Sequence, residues 1–478
     1  MTLCIIAATV LFAPFFPAPV MSVRWHGAQA LGVELGAVLL LMTLLYQAVP
    51  TRIFQTQFRA ALTPPALILC VSLLWSISSW VLCGGTASAT QGLILLASGV
   101  LVANTVAHRA QTEQSRLLLM DAVMAAGLLV AFSGIALYGS GSTPLVVGVL
   151  HDHALFGAFL MLLMPLSLAM MLAPVSMTRR LFAQATLLTC VTALIMAQTR
   201  SSWVGGFIAL LTFGGLLLSV RGAELRYSAD LRKPGRLVQA SLIPALTIVA
   251  FCCFLWLSPE RATLTARVRT LTTSVVQGKD ASTQWRFTAW TGARAMIRRK
   301  PLMGWGIGSY ARHQYVFTHT GRPAGLVDRE GPTISDETHN SYLQLWAETG
   351  VIGLGLWLLF LTSFFVVAIS SLRGLVAGSL EQYMVIGGLS AVAGQTVDAF
   401  ANPAWQFGHI MLPFWIIVGL TLSPLRRQEG SRVAEADDVT TKSRWATRLT
   451  QWIVILIIGG ALVRLILRTA FALPAPYL

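Results

Sequence analysis

Long apolar runs, each closed by a short cluster of polar or basic residues, set the pattern of this chain. A helix that crosses a bilayer needs roughly 20 apolar residues. About thirteen runs meet that demand, near residues 2–20, 28–49, 61–82, 89–107, 117–138, 153–174, 181–199, 203–220, 240–258, 342–369, 381–400, 408–424 and 450–468. The pattern predicts an all-α polytopic membrane protein with about 12–13 transmembrane helices. Pro14, Pro17 and Pro19 interrupt the first run and set the difference between the two counts. That run has no basic n-region and no A-x-A-like site, so it does not read as a signal peptide. One polar gap, 259–340, is long enough to fold and predicts one large, partly helical loop. Five parts follow: an N-terminal transmembrane bundle (1–258), the loop (259–341), C-terminal transmembrane helices (342–424), a linker (425–449) and a last helix (450–478).

Within the loop, 282–300 reads as a helix, with Ser282 as N-cap and Pro301 as stop. Arg286, Trp290, Arg294 and Arg298 recur every four residues on one face. Trp285, Ala289, Ala293, Met296 and Ile297 make an apolar face, which suits a helix lying at the membrane interface. Gly304, Gly306 and Gly308 then permit a tight turn with close backbone approach. No strand–helix unit surrounds them, so they are not a dinucleotide fingerprint. At Asp336–Gly350 the polar loop runs straight into an apolar helix, which places His339 on the first turn of that helix.

Composition agrees with the pattern: 55% of residues are hydrophobic and 11% charged, against about 25% charged in a soluble protein. The placement of Lys and Arg orients the chain, because cytoplasmic connections carry the positive excess. With the N-terminus inside, those connections hold Arg52, Arg59, Arg109, Arg116, Arg179, Arg180, the group from Arg221 to Arg236, Arg373 and the run from Arg426 to Arg448. The short opposite connections hold only Arg24 and Arg200. The 259–340 loop falls outside, yet it carries twelve Lys/Arg against six Asp/Glu. An external loop gains nothing from positive-inside bias, so its excess points to an anionic ligand. No nucleic-acid recognition motif accompanies it. The six cysteines lie in or beside spans and form neither a disulfide framework nor a metal pattern.

Arginine at membrane depth is costly and generally has a partner or a function. Arg200, between two spans on the outer side, either snorkels to headgroups or binds phosphate. Arg286 is either a solvated face residue or half of a fork for an anion. His339, at a helix N-terminus, is either a helix-end residue or a neutral imidazole that accepts a proton. Glu337 and Asp336 are rival bases or partners that orient it, and Arg294, Arg298 and Asn340 are candidate supporting residues. His151, Asp152 and His153 lie in another outer connection, where His313, His319 or His409 would have to complete a zinc site; a polar loop is the simpler reading. Asp398, Asn402 and Gln406 either contact sugar hydroxyls or cap helices.

Three stretches resemble the bacterial O-antigen ligase and polymerase superfamily: Trp285-Arg286 through Arg298–Gly306, His339–Leu343, and Glu348–Gly353. Thr199–Trp203 and the multi-span layout add to the likeness. The resemblance implies a GT-C-like, metal-independent, inverting glycosyltransferase of the inner membrane, with no cofactor. It moves a glycan from undecaprenyl pyrophosphate to an acceptor hydroxyl at the periplasmic face. The matching positions are Arg200 and Arg286 for pyrophosphate and His339 for catalysis. O-antigen ligase, with lipid A–core as acceptor, is the reading preferred here. Only Ala470–Leu478 follow the last span, which favours ligase over the protein oligosaccharyltransferases. A polysaccharide polymerase, a protein O-oligosaccharyltransferase and a non-enzymatic transporter of lipid-linked glycans stand as alternatives. Inverted halves would mark a transporter, and the sequence has none.

Overall fold

A computed structural model describes residues 2–15, 63–82, 87–141, 146–150, 152–227, 281–311, 313, 317 and 337–434. Among them are α1 (Thr2–Phe12), α2 (Pro64–Leu82), α3 (Ala87–Arg109), α4 (Glu113–Gly139), α5 (His153–Leu172) and α6 (Met177–Met196). These are followed by α7 (Arg200–Tyr227), α8 (Ala281–Arg299), α9 (Ser341–Leu372), α10 (Leu380–Asp398) and α11 (Gly408–Ala434). Eight of the described helices are long and apolar enough to cross a membrane: α2 to α7, α9 and α11. The protein is therefore an all-α polytopic membrane protein. The expected spans at 28–49, 240–258 and 450–468 lie outside the described residues. Of the expected first span, residues 2–15 are described and form α1 and a 3₁₀ turn at Ala13–Phe15, a stretch shorter than a crossing helix needs; 16–20 lie outside the described residues. Expected as a span, α10 is 19 residues long and is not among the eight. α11 runs to Ala434, so helix continues into the segment expected as linker.

The termini follow from side chains that satisfy the free N–H groups of a first turn. Thr112 and Ser115 cap α4 reciprocally, Asp152 caps α5, Ser176 caps α6 and Ser379 caps α10. The helices sort by burial: α5 and α11 are almost wholly enclosed, whereas α2, α7 and α9 turn large apolar side chains outward. α10 packs along both α5 and α7. At its tightest crossing, a Cβ on Gly205 would meet the Gly394 carbonyl oxygen at 2.8 Å, and one on Gly394 would meet that of Gly205 at 2.7 Å. Small residues let membrane helices approach this closely, because dispersion contacts replace a hydrophobic driving force.

Polar groups gather at the two ends of the bundle. At one end Arg116, only 1% exposed, forms an ion pair with Glu381 and donates from Nε to Ser423 Oγ at 3.3 Å, tying α4, α10 and α11. The other end holds the first residues of α5, α7, α9 and α11 and the last of α10.

Candidate functional site

The site is assembled where those helix ends meet. Asp152 Oδ1 accepts from Ala154 N and Leu155 N at 2.7 and 2.9 Å, which starts α5 at His153. Thr199, just before α7, donates from Oγ1 to the His153 carbonyl at 2.7 Å. Ser202, in the first turn of α7, donates to Asp398 Oδ1 at 3.0 Å. The turn after α10 holds the start of α9: Ser341 N donates to Ala399 O at 2.9 Å and Ser341 Oγ to Asn402 O at 2.8 Å. Asn402 Nδ2 closes the ring by donating to Ala154 O at 2.8 Å. Arg200, the first residue of α7, is placed by its neighbours on both sides.

His339 stands two residues before α9, outside the first turn in which the sequence pattern placed it. Asn340 takes the cap instead, accepting from Tyr342 N and Leu343 N at 3.1 and 3.0 Å. Thr338 folds the chain around the histidine: its Oγ1 donates to Asn340 O at 2.6 Å and accepts from Asn340 N at 3.0 Å. This clamp holds His339 at φ 50°, a left-handed conformation that a non-glycine residue adopts only where its surroundings enforce it. The imidazole is pushed down to about 4, chiefly by burial and then by the positive charge of Arg286; Asp152 opposes the shift and His153 adds to it. His339 is therefore neutral at pH 7.

Arg286 lies on α8, half-buried and within electrostatic reach of both His339 and Asp398. The helix is fastened beside the histidine by Trp290, whose Nε1 donates to Thr338 O at 2.9 Å. Pro301 ends α8 as its fixed φ and missing N–H require. From Ala289 to Ile297 the apolar face, however, is covered by protein. Ala293, Met296 and Ile297 are buried against Tyr310, Phe317 and Ala347 of the loop and of α9, because the loop folds back on its own helix. Glu337 is half-buried and acts on Tyr310, whose phenol is pushed well up by burial, Glu337 and Glu348. Tyr310 OH donates to Ala289 O at 3.0 Å. Arg294 and Arg298 are exposed, further along α8 from His339.

The glycine turn has a structural task. Gly304, Gly306 and Gly308 all have positive φ, and α9 breaks at Gly350 (φ 71°, ψ −179°) directly against them. The turn fills the gap: Trp305 N donates to Ala347 O at 3.1 Å, Gly306 N to Glu348 O at 2.7 Å, and Val351 N to Pro301 O at 2.9 Å. Glu348 Oε2 accepts from Gly308 N at 2.7 Å and Oε1 from Tyr310 N at 3.1 Å. Trp75 of α2 donates to the freed Thr349 carbonyl at 2.9 Å. Backbone groups at membrane depth must find such partners.

Sequence reading gave little weight to Asp398, Ser202 and Asn402, all of them fully buried. Polar residues buried at a span end were the signal available. Gln406 Oε1 accepts from Ser341 Oγ at 3.2 Å, so it too joins the helix-end network. Among the described residues, no group of three or more His, Cys, Asp and Glu is placed to hold a metal ion. His151, Asp336 and His319 lie outside the described residues. Residues 185–358 match the family model described as O-antigen ligase, a stretch that contains Arg200, Arg286 and His339. A comparison with curated proteins gives no match.

Proposed function

We propose, from the match of residues 185–358 to the family model described as O-antigen ligase, that this chain is a glycosyl-transferring member of the O-antigen ligase and polymerase superfamily and an O-antigen ligase of the bacterial inner membrane. It transfers O-antigen polysaccharide from undecaprenyl pyrophosphate to a sugar hydroxyl of lipid A–core at the periplasmic face, with inversion and without a metal ion. The observation that carries this reading is His339, clamped in a left-handed turn and held neutral beside Arg286.

The chemistry follows from what such a donor needs. Pyrophosphate is already a good leaving group, so no acid has to protonate it. Positive charge is required where its charge develops as the anomeric C–O bond breaks. Arg286 supplies that charge, and Arg200 supplies it from the start of α7. His339 takes the proton of the acceptor hydroxyl while that oxygen bonds to the anomeric carbon, and the electron pair of the broken bond leaves with the pyrophosphate. General-base catalysis of this kind contributes ~10²–10⁴-fold.

Purified protein supplied with lipid-linked glycan and lipid A–core tests the reading directly. Covalent product is expected from the wild type. His339→Ala and Arg286→Ala should reduce its formation by ~10²-fold or more while the protein still inserts. Movement of donor across the bilayer without product would identify a transporter instead. In a deletion strain, polymer stranded on its lipid carrier with uncapped lipid A–core marks a ligase. Shortened chains mark a polymerase, and loss of glycosylated protein marks a protein oligosaccharyltransferase.

A further inference from the structure

Arg294 and Arg298 lie further along α8 than Arg286, beyond the residues gathered around His339. They lie four residues apart on one face of α8, and both are exposed. The two cations that follow are held against rings: Arg299 Cζ lies 5.2 Å from the centre of Phe317, and Lys300 Nζ 4.2 Å from that of Trp305. Beyond the helix end, Leu302 and Met303 remain 60% and 40% exposed. The depth of this tip is fixed by α9. Val351 N bonds Pro301 O, and a Cβ on Gly350 would strike the Leu302 carbonyl. Val351 and Ile352, 42% and 40% exposed, open the outward-facing apolar side of α9 at the same point. Leu302 and Met303 thus extend that lipid-facing surface, with Arg298 about one helical turn away and Arg294 about two. An apolar surface beside a row of arginines suits a lipid that carries phosphate on its headgroup.

We propose that this edge binds the phosphate-bearing lipid anchor of the acceptor, with its phosphates on Arg294 and Arg298 and an acyl chain along Leu302, Met303, Val351 and Ile352. The inference rests on the transfer reaction proposed above. Spacing favours acceptor over donor. Arg298 lies twelve residues beyond Arg286, about 18 Å along the helix. The donor's pyrophosphate is bonded to the reacting carbon and cannot be in both places. An acceptor whose receiving hydroxyl is separated from its lipid phosphate by several sugar rings spans that distance.

The test compares phosphorylated and dephosphorylated lipid A–core as acceptors for the wild type and an Arg294→Ala/Arg298→Ala double variant. With phosphorylated acceptor, the variant's apparent KM should rise about tenfold or more while the donor's KM stays constant. Removing the acceptor's phosphates should give the wild type the same high KM and erase the difference. Equal KM values with the phosphorylated acceptor, or equal losses with both acceptors, would overturn the proposal. So would a KM that follows the anionic phospholipid content of the vesicles, which assigns the edge to bulk lipid. If the wild type forms no product with either acceptor, the transfer reading fails. Native mass spectrometry of the phosphorylated acceptor bound to each protein then decides this inference separately. Retention by the wild type and loss by the variant supports it, and equal retention sinks it.

Discussion

At the scale of single residues, His339 carries the sharpest consequence. Its imidazole titrates near 4 instead of its ordinary 6.5, because burial and Arg286 both disfavour the charged form. Protonation removes the base, so kcat/KM, which reports the free enzyme, should fall only as pH drops through about 4. Bound pyrophosphate offsets the Arg286 charge and favours imidazolium, so the acid limb of kcat should lie at higher pH than that of kcat/KM. Arg286→Gln should raise the kcat/KM limb as well as slow the reaction. A pH–rate profile with its limb at 6.5 in wild type and variant alike would remove Arg286 from this role. Asp398 is the residue that sequence reading undervalued. A carboxylate near a span end looks like any helix cap, and only its bond to Ser202, two residues after Arg200, shows that it fixes the start of α7. Asp398→Ala should lower product formation by about tenfold or more through misplacement of that turn, whereas Asp398→Asn, which keeps an acceptor for Ser202, should retain more of the activity.

Elements were more legible than their contacts. Pro301 and the four-residue spacing of arginines located α8 within a residue. That its apolar face would close on Tyr310 and Phe317 was not legible, since a buried and a lipid-facing surface have the same composition. The glycines of 304–308 signalled a turn, but nothing local signals that Gly350 breaks α9 to receive it. A Cβ on Gly350 would meet Leu302 O at 2.0 Å, and at φ 71° any side chain is strained. Gly350→Ala should therefore destabilise the protein by roughly 1–3 kcal/mol from backbone conformation alone, with the clash in addition. Gly355 of the same helix has open space at its Cβ position, and Gly355→Ala should leave the melting temperature in detergent unchanged or slightly higher. Equal effects at the two positions would contradict the packing of the glycine turn against Gly350.

On the scale of the whole molecule, the two polar ends of the bundle have different tasks. Glu381→Ala would take from buried Arg116 the carboxylate it pairs with, and loss of one partner of a buried ion pair is destabilising. It should lower thermal stability and yield while the turnover of folded molecules stays close to wild type. A selective loss of turnover at normal stability would count against a purely structural role for that end. Long apolar runs determined by themselves that this is a membrane protein of helices, because backbone in a bilayer has almost no other way to satisfy its hydrogen bonds. Residue type and position made Arg200, Arg286 and His339 candidates, and the family resemblance joined them into one proposed site. Only the tertiary structure decided that α9 begins at Ser341 with Asn340 as its cap and His339 outside it, that Thr338 holds the histidine in a left-handed turn, and that Asp398 and Asn402 join helix ends far apart in sequence. Those outcomes depend on which groups meet across the bundle, and the apolar pattern that builds each span carries no record of its neighbours.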